Sequence, residues 1–279
     1  VIILLITFAV YTYSLLHGFK GISKLANICI YMFFGLIAFV LLFGGETRYI
    51  IETGFSSLGR MIQNFVDLST FTDPLRTSNF PQNWTIFYWA YWMVWCVATP
   101  FFIGTISKGR TIRQTVLGGY FFGLAGTFTS FIILGNYGLG LQTHGILDLM
   151  GLYRETGDLY QAIIAVFETM PAARFGLILL AVTMIAFYAT TFDALTMVAS
   201  SYSYRSLDAD EEPDKKVKLF WAITLMLFPI ALIFSENSMS SLQSVSIVAA
   251  FPIGFIILMI VWSFFKDADA YLHDTGSKG

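Results

Sequence analysis

WTIFYWAYWMVW, residues 84–95, places four tryptophans and two tyrosines within twelve positions. What such a stretch does depends on the solvent around it, and the rest of the chain identifies that solvent. Of its 279 residues, 56% are hydrophobic and only 12% charged, with a mean hydropathy of +0.70. A soluble domain is about one-quarter charged, and a chain this apolar cannot cover a water-facing surface. It is therefore expected to be an all-α polytopic membrane protein embedded in a lipid bilayer. A net charge of −2 points neither to nucleic-acid binding nor to an acidic tail. The two cysteines, Cys29 and Cys96, lie in apolar stretches and suggest neither a disulfide framework nor a thiolate metal site.

The first residues, VIILLITFAVYTYSLL (1–16), read as mid-helix, with no initiator Met, charged n-region or cleavage pattern. The expectation is the interior of a longer chain. Apolar runs long enough to cross a bilayer occur at about 1–17, 26–44, 84–107, 114–136, 173–204, 217–235 and 241–265, giving about seven crossings. The fifth is long enough to tilt strongly or to project. Alternating the crossings gathers eleven Lys and Arg, from Lys20 to Lys278, on one side against five on the other. The richer side is expected to be cytoplasmic, with residue 1 outside and the C-terminus inside the cytoplasmic membrane. In the external connection 46–83, Ile50, Ile51, Phe55, Leu58, Met61, Ile62 and Phe65 recur at near-helical spacing, as in an amphipathic helix at the interface. Residues 137–171 read as short helical pieces that could form a lid, and 207–216 as a solvated acidic loop.

On a helix of about 100° per residue, Trp84, Tyr88, Tyr91 and Trp95 fall within about 60°, with Trp92 close by and Trp89 turned further away. Trp and Tyr collect in belts at membrane interfaces, and Trp84 and Tyr88 suit a belt. A belt keeps to one depth, however, and Trp84 to Trp95 rises about 16 Å. Core packing competes for the deeper rings, although Leu or Phe would serve it without polar N–H and O–H groups to satisfy. Several aromatic faces can also hold a quaternary ammonium, each contributing about 0.5–2 kcal/mol.

FTDP (71–74), FPQNWTIFYWAYWMVW (80–95) and ISKGRTIRQ (106–114) resemble the betaine/choline/carnitine transporter family, near its carnitine/γ-butyrobetaine exchangers. The order of elements agrees along essentially the whole chain. The resemblance implies a LeuT-type transporter of two inverted five-helix repeats. Residues 1–45 would end the first repeat, whose N-terminal part is missing. Residues 46–83 would connect, 84–265 would form the second repeat, and 266–279 a cytoplasmic tail. It further implies that Tyr91, Trp92 and Trp95 line the substrate cage, with Trp89 as a neighbour and Trp84 and Tyr88 on an outer access path. Tyr91 departs from the commoner Trp and keeps a π-face. A homotrimer with the interfacial helix at its contact is also implied.

The coupling ion follows from AFYATTFDAL (186–195). Adjacent threonines deep in an apolar helix are hard oxygen donors, although their hydroxyls commonly bond back to their own helix. By resemblance to sodium-coupled relatives, Thr190 and Thr191 would bind sodium with the Phe187 carbonyl. Sodium-independent exchangers carry an Arg in the helix after the KG loop (20–21). Cys29 occupies that register, and no Arg lies between Ile22 and Thr47. The expectation is sodium symport of a trimethylammonium compound of the glycine betaine, choline or carnitine type. Exchange, and a non-transporting osmotic sensor on the same fold, stand as alternatives. Asp193, the lone acid in that crossing, is a secondary candidate. An enzyme is disfavoured, because His17, His144 and His273 are scattered and no HExxH, GxSxG or GK[ST] motif occurs. No cofactor other than sodium is expected.

Overall fold

In lipid the backbone must satisfy its own hydrogen bonds, and the chain does so with helices. The computed structural model describes residues 2–207, 211–234 and 239–276, and no strand occurs among them. The helices are α1 (Ile2–Leu16), α2 (Gly18–Phe43), α3 (Thr47–Gln63), α4 (Phe65–Thr70), a π-helical turn π1 (Pro81–Ile86), α5 (Phe87–Trp95) and α6 (Thr99–Ile106). There follow α7 (Ile112–Ser130), a second π-turn π2 (Phe131–Gly135), α8 (Asn136–Thr143), α9 (Leu149–Thr156), α10 (Leu159–Glu168), α11 (Ala173–Tyr202), α12 (Lys215–Phe234) and α13 (Met239–Gly276). Among the described residues, four stretches are long and apolar enough to span a membrane: Lys20–Phe43, Ile112–Thr143, Ala173–Tyr202 and Ser244–His273. A fifth arises if Pro81–Trp95 and Thr99–Ile106 count as one span bent by 56°. The stretches 1–17 and 217–235 correspond to α1 and α12, of 15 and 20 residues.

The chain divides into two compact units. The first comprises Val1–Phe65 and Ser107–Ile230, the second Val66–Ile106 and Ala231–Gly279.

In the first unit α1, α2 and α11 pack together. Between apolar helices in lipid, close packing and hydrogen bonds replace the hydrophobic effect as the glue. One core joins Tyr11 and Leu15 of α1, Leu25 of α2, Ala189 and Met197 of α11, and Ala222 of α12. The Tyr11 hydroxyl donates to the Ala222 carbonyl at 2.7 Å, so this buried aromatic meets its polar demand across helices. A second core gathers Leu36, Phe39 and Val40 of α2, Ile50 of α3, Tyr137 of α8 and Phe167 of α10. Gly176 of α11 allows that closeness, since a Cβ there would lie 2.6 Å from the Phe39 ring and 3.0 Å from that of Phe167. The start of α7 is fixed by the GRT motif. Gly109 turns with φ +81°, and Thr111 caps the helix reciprocally with Gln114.

The second unit holds α5 against α13, with the Met93 methyl 3.1 Å from where a Cβ on Gly254 would stand.

Two expectations need correction, on the stretch 84–107 and on the acidic loop. The stretch 84–107 is not one straight helix. It opens with a π-turn, breaks at residues 96–98 and bends, because hydrogen-bond slippage and a bend leave no mark on an apolar pattern. The stretch from 266 read as a tail continues α13, which runs unbroken to Gly276; residues 277–279 lie outside the described residues. The acidic loop is partly tied down: Pro213 is buried, and the buried Lys218 pairs with Glu212 at 2.6 Å. Residues 208–210 of that loop lie outside the described residues.

Candidate substrate and ion sites

The aromatic stripe begins on a loop of unusual construction. Asp73, Arg76 and Asn79 all have positive φ, at 47°, 56° and 54°. Such angles are uncommon for residues with a Cβ and persist only where surroundings impose them. Here the imposing group is the Asp73 carboxylate. Its Oδ1 accepts from the Thr77 amide (3.1 Å) and hydroxyl (2.9 Å), and its Oδ2 from the Ser78 amide (2.8 Å), the Ser78 hydroxyl (3.2 Å) and the Asn79 amide (3.1 Å). Donors to the charged form hold this carboxyl well below the usual carboxylate range, the Ser78 amide foremost. The Phe80 amide donates to the Ser78 hydroxyl at 3.2 Å, and Phe80 caps π1. Gln82 ties π1 back to the loop by donating to the Thr72 carbonyl at 2.6 Å.

From there the rings form a connected series on one unit. Trp84 stacks on Tyr88, with centroids 6.1 Å apart and planes 21° apart. Tyr88 meets Tyr91 edge-on at 6.5 Å, and Tyr91 meets Trp92 at 5.8 Å and Trp95 at 6.1 Å, again edge-on. Tyr91 is thus the hub. Steep interplanar angles let ring faces line a concavity instead of covering one another. Trp84, Tyr88 and Trp92 are 43%, 46% and 63% exposed, so their faces are available to a ligand, whereas Tyr91 and Trp95 are half-buried. Trp89 is equally open but contributes no ring contact to the series among the described residues. All of these rings stand on π1 and α5, along a single bent stretch.

The hydroxyl pair lies on α11 in the other unit. Thr190 and Thr191 both donate to the Phe187 carbonyl, at 2.8 and 3.1 Å. The back-bonding expected of helix threonines is therefore present. It also gathers three oxygens on one patch, with both hydroxyl protons directed at the Phe187 carbonyl. Cys29 of α2 places its Sγ 3.9 Å from the Thr190 hydroxyl. The residue read as filling the arginine register of the exchangers thus faces the first threonine.

Asp193 sits one turn further along α11, wholly buried, with Oδ2 accepting from Ser14 of α1 at 2.6 Å and Oδ1 without a partner among the described residues. Among the described residues no group of three or more His, Cys, Asp or Glu could hold a metal ion; any alkali cation would rely on hydroxyl and carbonyl oxygens.

Sequence reading named FTDP as a motif without seeing that its Asp73 clamps Thr77–Asn79; the density of Asp, Thr, Ser and Asn over 72–79 was the available signal. Ser14 gave no such signal, because its partner Asp193 is distant in sequence.

Residues 1–272 match the profile of the betaine/carnitine/choline family transporters. The chain is 31% identical over 246 residues to a carnitine transporter of Acinetobacter baumannii, covering 88% of this chain and 44% of that protein. It is 26% identical over 250 residues to the uncharacterized transporter YeaV of Escherichia coli, covering 90% and 51%. The chain thus spans about half the length of these relatives. On the strength of a match along nearly its whole length, this chain belongs to the betaine/carnitine/choline transporter family.

Proposed function

We propose that the chain is part of a multi-pass secondary transporter that moves a trimethylammonium compound of the glycine betaine, choline or carnitine type across the cytoplasmic membrane, driven by sodium. The observation that carries this reading is the connected series of Trp and Tyr rings in a bent apolar span. A trimethylammonium head offers methyl groups that hydrogen-bond poorly and a delocalised positive charge, and aromatic faces answer both. Trp92 and Trp95, with Tyr91 between them, bind the head, and Trp84 and Tyr88 receive it first. The relative from Acinetobacter baumannii, described as a carnitine transporter, supports this substrate class.

For coupling, Thr190, Thr191 and the Phe187 carbonyl supply hard oxygens suited to an alkali cation, and Cys29 leaves the adjacent position without a competing charge. Bound sodium would add a positive charge that rewards closure of helices around it. The fold is proposed to be the LeuT-type inverted repeat, with a cytoplasmic C-terminus and trimer contacts through α3.

The test is uptake of radiolabelled glycine betaine and carnitine by the full-length gene product in liposomes. Three conditions are compared: an inward sodium gradient, no sodium, and no sodium with substrate preloaded. Uptake that requires the gradient supports symport. Uptake that ignores sodium but requires internal substrate makes the protein an exchanger and leaves the threonines to helix packing. Absence of saturable uptake and of binding in all three would contradict the reading.

A further inference from the structure

We propose that Asp73 is a positioning residue for substrate capture: it fixes the loop that launches π1 and so sets the stacked Trp84–Tyr88 pair. The proposal deepens the transport reading above and rests on it for what the pair captures.

The argument begins with a cost that the loop must offset. Three residues carrying Cβ atoms hold positive φ within seven positions, and the first precedes Pro74, which restricts it further. Nothing in the intrinsic preferences of Asp, Arg and Asn demands this path. Asp73 is only 2% exposed, enclosed by its own loop, and its two oxygens accept five hydrogen bonds from Thr77, Ser78 and Asn79. The loop is therefore held from its centre.

The hold is transmitted outward. Ser78 donates its hydroxyl proton to Asp73 and accepts from the Phe80 amide, so an unbroken pair of hydrogen bonds links the carboxylate to the cap of π1. Asn83 donates to the Asn79 carbonyl at 3.1 Å, and Gln82 to that of Thr72. Four residues after the cap stands Trp84, 43% exposed and stacked on Tyr88 at 6.1 Å. A π-turn hydrogen-bonds one residue further along than an α-turn and is not the default path of a helix. The Asp73 loop comes directly before it and is hydrogen-bonded to it through Phe80, Gln82 and Asn83. If the turn relaxes to α geometry, Trp84 changes its angular position relative to Tyr88.

The experiment uses the full-length protein labelled with fluorotryptophan, with the Trp84 fluorine signal assigned by Trp84→Phe. Asp73→Asn keeps the size of the side chain but aims an NH2 group at a ring of donors. The expected result is a shifted or broadened Trp84 signal with those of Trp92 and Trp95 unmoved, and a ~10-fold higher KM with kcat unchanged, the size of one well-formed ring contact. Because Asp73 acts through Trp84, adding Asp73→Asn to Trp84→Ala should leave KM where Trp84→Ala alone put it. Ser78→Ala, which cuts only the relay to Phe80, should move the same signal and raise KM ~2- to 3-fold; it decides the matter if Asp73→Asn fails to fold. An unmoved Trp84 signal, an unchanged KM, or full additivity with Trp84→Ala would overturn the proposal. If Trp84 moves as expected but the unsubstituted protein takes up no trimethylammonium compound, the functional reading falls, and the role in capture falls with it.

Discussion

The helices that carry the two candidate sites differ in what their side chains already have for company. The span containing α5 is broken, begins with a π-turn and leaves large rings open. By contrast, α11 runs for 30 unbroken residues, and the polar groups of its candidate site are already served, the Asp193 Oδ1 excepted. Thr190 and Thr191 bond to Phe187, and Asp193 is bonded to Ser14. An open ring in a bent span carries N–H and O–H groups that apolar packing does not use, which is why the proposed ligand contact is placed there. A hydroxyl bonded to its own helix has a complete local explanation, and only ion dependence can give it a second one.

That contrast can be broken or sharpened by substitution. The largest effect belongs to the rings. Trp92→Ala is expected to weaken substrate binding by ~30-fold, the equivalent of about 2 kcal/mol for a desolvated cation–π face, with the sodium response preserved. Equilibrium binding measured at several sodium concentrations checks both parts. Next, Thr190→Ala combined with Thr191→Ala should raise the sodium concentration for half-maximal uptake ~10-fold while leaving thermal stability nearly unchanged, because Ala is at home in a helix. A loss of stability without an altered sodium response would reduce the pair to packing. Smaller again, Gly176→Ala should cost about 1 kcal/mol through overpacking against Phe39 and Phe167, seen as a lower Tm with substrate affinity intact.

The smallest predicted effect is none at all. Asp73 has its carboxyl depressed by five donors. Such a group adds stability above its unfolded value of about 3.9, and that stability is lost only as pH falls through the lower folded value. The loop should therefore hold its shape from pH 7 to about pH 4, with the Trp84 fluorine signal constant. A transition within that range would contradict the clamp.

Much of this was legible in the sequence, wherever one face of one segment decided the matter. The amphipathic run after Arg48 became α3, the long apolar stretch from Ala173 became α11, and the mixed region after Tyr137 became α8, α9 and α10. The stripe from Trp84 to Trp95 was visible for the same reason, since neighbours on a helix are fixed by spacing. The bend after Trp95 and the π-turn under Trp84 were not visible, because both are choices of hydrogen-bond partner that apolar side chains do not record. Nor were Ser14 beside Asp193 and Cys29 beside Thr190 set by periodicity. The first depends on how α1 packs on α11, the second on how α2 does.

The most direct test of the central claim compares two ligands of nearly equal shape: glycine betaine, and its isostere in which a tert-butyl carbon replaces the quaternary nitrogen. Calorimetric titration of the full-length protein should show the charged ligand binding at least ~10-fold more tightly, with the gap closing in Trp92→Ala. Equal binding of the two ligands, or a gap that survives the loss of Trp92, would mean that the rings do not read the trimethylammonium charge.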